Sequence, residues 1–343
     1  MTSRRSAGQR GDVALTVVGA AALAALAAGI AAAAWKLSPW PSALIVRSVF
    51  ERDGARVLKA LRAHSPGGVD RATGIRYRPR DPHALLDAYW SAGTSAPRPT
   101  VIWTHGGAWI SGSRANAAPY FELLAAAGFT VVSLDYTRGP ASRYPGALHQ
   151  LNDAHAYLVA HAAELHVDAD RIVLAGDSAG AQLSSQLATA ITDPTYAAEL
   201  GIRPGLAAHR LRGVILHCGI YEMSGLLHST GIIGWGNRTA LRAYVGGLRF
   251  AMSPALAEMS MMHRATAAFP PTFISGGNGD PLTDAQAKPF ADRLVSLGVD
   301  VTRLFWPHDH EPALPHEYQF DLDRPEGLAA LSVAIDFVRR HTV

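Results

Sequence analysis

Along this chain, short apolar runs alternate with stretches whose hydrophobic residues return every third or fourth position. The runs Thr100–Trp103, Thr130–Leu134, Ile172–Ala175, Gly213–His217, Thr272–Ser275 and Val299–Phe305 are too short for helices and read as buried strands. Helical patterns lie between them over Ala117–Ala126, Gln150–Ala163 and Gly327–Arg339, and Leu183, Leu187 and Ile191 mark the inward face of another helix. Thr73–Tyr77 and Leu85–Trp90 predict an antiparallel pair joined through Asp81-Pro82. Strands alternating with helices at this spacing predict an α/β domain with a mostly parallel central sheet and helices on both faces.

Two segments interrupt the alternation. Ser42 to about His64 is amphipathic with a helical period and is closed by Ser65-Pro66-Gly67-Gly68. Met223 to about Phe269 is too long for a simple connection and holds apolar helical stretches of its own. Together they predict a helical cap over residues 42–64 and 223–269 of a domain that runs from residue 36 to residue 343.

Ahead of that domain, Val13–Ala34 is uncharged and almost wholly apolar. About 22 residues at roughly 1.5 Å each reach about 33 Å, enough for the hydrocarbon core of a bilayer. Arg4, Arg5 and Arg10 precede it, so residues 1–35 read as a single-pass anchor with the N-terminus in the cytoplasm and the domain outside. The alternatives are a cleaved signal, read through Arg4-Arg5 and cut near Ala32-Ala33-Ala34 to release a secreted protein, and a soluble Ala-rich helix.

Composition narrows the class. With 48% hydrophobic and 17% charged residues in 343, the chain has material for a sizeable core. The net charge of +3 comes from scattered arginines with no basic run interleaved with aromatics, which excludes a nucleic-acid binder. Cys218 is the single cysteine, so no intramolecular disulfide forms.

The candidate chemistry centres on Gly176-Asp177-Ser178-Ala179-Gly180, set between a strand and a helix. This is the context of a nucleophile elbow, in which flanking glycines let a tight turn lift the serine hydroxyl above the sheet. A serine needs a base, and the base needs an orienting group. Asp280 lies just past the strand Thr272–Ser275, where such sheets gather functional groups; Asp284 and Glu222 compete with it. The loop after the last strand holds three candidate bases, His308, His310 and His316. His308, His310 and Glu311 also read as a metal cluster, though no other metal-spaced group accompanies them. His105-Gly106-Gly107, just after a strand, and the N–H of Ala179 are candidate donors to an oxyanion.

From Thr100 to the C-terminus the chain resembles the hormone-sensitive-lipase-like esterases of the α/β-hydrolase fold. The resemblance rests on His105-Gly106-Gly107-Ala108-Trp109, on Asp135-Tyr136-Thr137-Arg138-Gly139-Pro140 with Tyr144-Pro145 and Asp153, on Gly176-Asp177-Ser178-Ala179-Gly180, and on Asp280-Pro281-Leu282. It implies Ser178 as nucleophile, Asp280 as the acid, and an oxyanion loop at Gly106, Gly107 and Ala108 completed by Ala179. Gly107, Ala108 and Ala179 supply the N–H groups, and His105 shapes the loop. Two departures stand out: Ala108 replaces a glycine, and the usual His-Gly-Phe is absent. His316-Glu317-Tyr318 keeps a histidine with an aromatic two residues on, which makes His308–Leu314 an insertion and His316 the expected base, with His310 second.

The expected function is that of a membrane-anchored serine esterase, which hydrolyses carboxylic esters of short to medium acyl chain through an acyl-enzyme. No metal or organic cofactor is implied, and the sequence carries no sign of an oligomeric state. The same residues fit an amide hydrolase of arylformamidase or peptidase type. From another class, they fit an inactive, ligand-binding α/β-hydrolase homologue.

Overall fold

The computed structural model describes residues 5–343, and the side chains of residues 5–18, 21 and 34 lie outside that description. In chain order the helices are α1 (Arg5–Leu37), α2 (Trp40–Leu61), α3 (Ala118–Ala126), α4 (Gly146–Ala160), α5 (Ala179–Thr192), α6 (Pro194–Glu199), α7 (Met223–Leu227), α8 (Gly231–Val245), α9 (Ala255–Met259), α10 (Lys288–Ser296) and α11 (Pro325–His341). The strands are β1 (Val69–Arg76), β2 (Leu85–Ser91), β3 (Arg98–Thr104), β4 (Thr130–Leu134), β5 (Val167–Asp177), β6 (Leu211–His217), β7 (Thr272–Gly276) and β8 (Val301–Phe305).

Among the described residues the strands form one eight-stranded sheet in the order β1-β2-β4-β3-β5-β6-β7-β8. The β1–β2 and β2–β4 pairs are antiparallel and all others are parallel. Alternate residues of the central strands point to opposite cores. Ile102, Val132, Leu174, Leu216 and Ile274 meet side chains of α4, α5 and α10. Val101, Trp103, Val131, Val173, Ile215 and Phe273 meet those of α3 and α11. Burial on both faces is why these strands read as continuous apolar runs.

Strand β1 begins earlier than the expected Thr73–Tyr77 pattern. Its register slips between Ala72 and Ile75, where Gly74 takes a φ of 71° and donates its N–H to Asp87 Oδ1 at 2.7 Å. The slip breaks the two-residue period, so the strand's first half carries no readable alternation.

Helices α2 and α8 pack together, with Ala43 and Val46 of one against Ala240 and Ala243 of the other and Ile110 between them. The expected anchor, Val13–Ala34, lies within α1, and part of it falls on side chains outside the description. No single helix among the described residues is long and apolar enough to cross a membrane, although Ala22–Leu37 and Trp40–His64, bent by 70°, pass that test as a pair.

Candidate active site

Strand β5 ends at Asp177 and α5 starts at Ala179, leaving Ser178 alone on the turn with φ 52° and ψ −118°. Its N–H donates to the carbonyl of His217 at 2.8 Å. The two motif glycines make this turn sterically feasible. A Cβ on Gly176 would press on the backbone of Gly180, and one on Gly180 would strike the carbonyl oxygens of Thr104 and His105. Only glycines let the elbow sit this close to the end of β3.

Two loops bring the partners of Ser178. Asp280, buried after β7, accepts a hydrogen bond from His316 Nδ1 at 2.6 Å. Its other oxygen accepts from the N–H of Leu282 at 2.9 Å. His316 Nε2 faces Ser178 Oγ at 2.9 Å. With Nδ1–H donated to the carboxylate, Nε2 is the accepting nitrogen. Burial by itself would lower the pKa of His316, but the hydrogen bond and charge of Asp280, with Glu317 and Asp177 adding to them, outweigh it and raise it to about 9.

The loop expected to supply the oxyanion donors follows β3. Gly107, Ala108 and Trp109 all have positive φ, at 97°, 51° and 60°. The glycine replaced by Ala108 therefore stood at a left-handed position, and a residue with a Cβ costs about 1–2 kcal/mol there. Two contacts hold the loop against that strain: Trp109 Nε1 donates to Gln182 Oε1 of α5 at 3.0 Å, and its ring stacks on Tyr244 of α8. His105 lies flat on Tyr136 and donates from Nδ1 to the carbonyl of Gly106 at 2.8 Å. Burial lowers its pKa, so it sits there as a neutral ring. Among the described residues, the N–H groups of Gly107, Ala108 and Ala179 have no protein acceptor. Gly106 differs from the expectation that grouped it with them, because its N–H is already donated to Asp177 Oδ2 at 2.8 Å.

The competing residues are engaged elsewhere. Asp284 pairs with Lys288 at 2.6 Å on the surface. Glu222 caps α7 through the N–H of Ser224 and receives His263 Nε2 at 2.6 Å. His310 donates from Nε2 to Glu326 at 2.8 Å, and among the described residues His308, His310 and Glu311 do not converge as a set of metal ligands. The inserted loop is tied down by Asn278, whose Nδ2 donates to the carbonyl of His310 at 2.8 Å and whose Oδ1 accepts from the N–H of Leu314 at 2.9 Å.

Sequence reasoning missed Asp177. It is buried and accepts from Trp103 Nε1 at 2.7 Å as well as from Gly106. Arg47 was missed too: it reaches from α2 to the carbonyls of Ile110 and Gly139. Its signal was a lone arginine on the apolar side of a cap helix.

Two spaces adjoin the site. A cavity with about 60 Å³ open to water-sized groups lies between α2 and the oxyanion loop, with Asp53, Ser111, Asn116, Asp177 and Glu317 on its wall. A larger apolar groove of about 410 Å³ runs between α2 and α8, lined by Ile45, Val49, Phe50, Ile232, Ile233 and Trp235, and reaches Ala108.

A model of the alpha/beta hydrolase fold family matches residues 101–313. The chain belongs to that family and, within it, to the hormone-sensitive-lipase-like group. It is similar to esterase LipQ of Mycobacterium tuberculosis, 27% identical over 251 residues that make up 69% of this chain and 56% of LipQ. Carboxylesterase NlhH of the same organism is 28% identical over 277 residues, 72% of this chain and 77% of NlhH. Among solved structures, esterase B of Lactobacillus rhamnosis superposes with a TM-score of 0.76 at 25% identity, covering 88% of this chain and 96% of that one. The chain thus spans about half the length of LipQ but most of NlhH and of esterase B.

Proposed function

We propose that this protein is a serine esterase that hydrolyses carboxylic esters through an acyl-enzyme. Ser178 Oγ gives its proton to His316 Nε2 and attacks the ester carbonyl carbon. The oxyanion that forms takes the unengaged N–H groups of Gly107, Ala108 and Ala179, and Asp280 holds the imidazolium by its Nδ1–H. Collapse of the tetrahedral adduct breaks the bond to the alkoxide, which leaves with the proton from Nε2. Water, deprotonated by the same nitrogen, then releases the acid and restores Ser178. The observation that carries this reading is the 2.9 Å and 2.6 Å chain from Ser178 through His316 to Asp280 beside three unused N–H donors.

The groove between α2 and α8 supports short to medium acyl groups, since it is apolar and ends at the oxyanion loop. Esterase B has also been solved with a C4-C4 tributyrin phosphonate, at 24% identity to this chain. We further propose that the apolar segment Val13–Ala34, part of which lies outside the described side chains, anchors the protein in a membrane with the domain on the outer side. Leu23, Leu26 and Ile30 support this, each more than half exposed.

The test is hydrolysis of p-nitrophenyl esters of increasing acyl length, with aryl amides alongside, by the full chain in detergent. Ser178→Ala and His316→Ala are expected to abolish turnover while His310→Ala retains it. Turnover of amides alone would replace the reading with an amide hydrolase, and no turnover by folded protein would favour a ligand-binding homologue. Protease digestion in intact cells tests the anchor, and protection until lysis would overturn the outward orientation.

A further inference from the structure

We propose that Glu317 is a positioning residue of this site, whose carboxyl meets that of Asp177 beneath Gly106 and so clamps the loop of His316 to the oxyanion loop. Glu317 follows His316 directly and stands at φ 60°, ψ 30°, a left-handed conformation that costs any residue but glycine. Its backbone is fixed there by its N–H, which donates to Cys218 Sγ at 3.4 Å. The side chain runs back under Gly106, so that a Cβ on Gly106 would meet Asp177 Oδ2 and would lie 3.0 Å from Glu317 Oε1. Asp177 is at the same time the acceptor for Gly106 N–H and Trp103 Nε1. The nucleophile turn, the oxyanion loop and the base loop therefore meet at one pair of carboxyls.

Two carboxyls in hydrogen-bond contact, Asp177 buried and Glu317 half-buried at a cavity wall, do not both ionise readily. Burial first, and then the charge of Asp177, push the Glu317 carboxyl up to about 8, and burial raises Asp177 as well. The other groups facing Glu317 do not neutralise a second negative charge. From α2 comes Asp53, from the end of β6 the buried Cys218 thiol, and from the oxyanion loop the neutral His105 ring near Asp177. Only His316 opposes, its Nε2 lying 3.8 Å from Glu317 Oε1. An ionised Glu317 would hold a proton on Nε2 and idle the base. The shared proton removes that extra pull, so that Nε2 is freed for Ser178 at a lower pH than an ionised Glu317 would allow.

The kinetic part of this inference rests on the esterase reading, and the clamp itself does not. In the full-length protein, Glu317→Gln keeps a donor for Asp177 and removes the ionisation. With p-nitrophenyl butyrate, kcat is expected to stay within about threefold of the parent, with the inflection of kcat/KM moved to lower pH because the negative charge that Glu317 takes on above about pH 8, just below that inflection, is gone. Glu317→Ala is expected to lower kcat about tenfold or more with little change in KM. Thermal unfolding supplies the readout free of activity. A carboxyl raised from 4.5 contributes stability below that value and loses it as pH climbs through about 8. The parent protein should therefore lose Tm relative to Glu317→Gln across that window. The proposal is overturned if that Tm difference is flat with pH, or if Glu317→Gln is as impaired as Glu317→Ala. If no ester is turned over, or if Glu317→Ala does not fold, the comparison with Glu317→Gln still decides.

Discussion

Arg47 Nε lies 2.6 Å from the carbonyl oxygen of Ile110, and its Nη2 lies 2.9 Å from that of Gly139. One cap side chain thus holds the backbone on either side of the oxyanion loop and fixes the angle at which α2 closes over the groove. Hydrogen bonds from a charged donor contribute about 1.5–3 kcal/mol each when the acceptor is otherwise left unpaired. Arg47→Ala is expected to lower stability by about 3 kcal/mol or more and to raise KM for the longer p-nitrophenyl esters several-fold more than for the acetate. Equal effects on all chain lengths would show that α2 does not line the acyl path.

The pH profile follows from His316. With its pKa raised to about 9, the imidazole is mostly protonated at neutral pH and cannot accept the proton of Ser178. The value of kcat/KM is expected to rise from pH 6 towards an inflection near 9. The stability sign is opposite. A histidine whose folded value lies above 6.5 contributes stability that is complete below 6.5 and lost as pH rises through about 9. Asp280→Asn removes the main force that raises it, so the inflection should move to lower pH while kcat falls by about 10³–10⁴. A stopped-flow pH series on both proteins measures this.

The strands were legible because burial on both faces leaves an uninterrupted apolar run, as at Thr130–Leu134, where every residue is buried. Ser178 was legible because a tight strand-to-helix turn needs glycines at fixed offsets. Among His308, His310 and His316, the spacing to an aromatic favoured His316, which does face Ser178, but how the inserted loop folds back to bring it there was not legible, since Asn278 does that across 32 and 36 positions. Asp177 and Glu317 stayed hidden for the same reason. Each is an ordinary acid in its own neighbourhood, and only the packing of Gly106 between them makes a pair. The left-handed demand at Ala108 also has no local signal, because alanine says nothing of its φ.

The elbow itself gives a sharp steric prediction. In Gly180→Ala the added methyl meets the carbonyl oxygens of Thr104 and His105, which are fixed in the ladder and the oxyanion loop and have nowhere to go. Displacing backbone at a core strand end costs about 1–3 kcal/mol or more and moves Ser178 relative to His316. The variant is expected to lose over 99% of turnover, about 3 kcal/mol in activation terms, with Tm lowered as well. Activity assays paired with thermal unfolding check it. Gly128→Ala is the contrast, since a Cβ there meets nothing within 4 Å and only its φ of 105° is strained; it should cost stability without touching kcat.

The loop that carries His316 is held at a distance by Asn278, and this separates support from chemistry. Asn278 hydrogen-bonds neither Ser178 nor His316, yet it holds the backbone at His310 and Leu314, and Gly279 N–H adds a bond to the Leu314 carbonyl at 2.9 Å. Asn278→Ala removes two hydrogen bonds from partly buried backbone groups, worth about 1 kcal/mol each. With the loop looser, His316 samples positions from which Nε2 no longer reaches Oγ, and kcat is expected to fall about three- to tenfold with KM little changed. Asn278→Asp retains the acceptor for Leu314 N–H and loses the donor to His310, so its kcat should lie between the two. If instead Asn278→Ala leaves kcat untouched while lowering Tm, the loop is held by Asp280 alone and the asparagine serves the fold rather than the base.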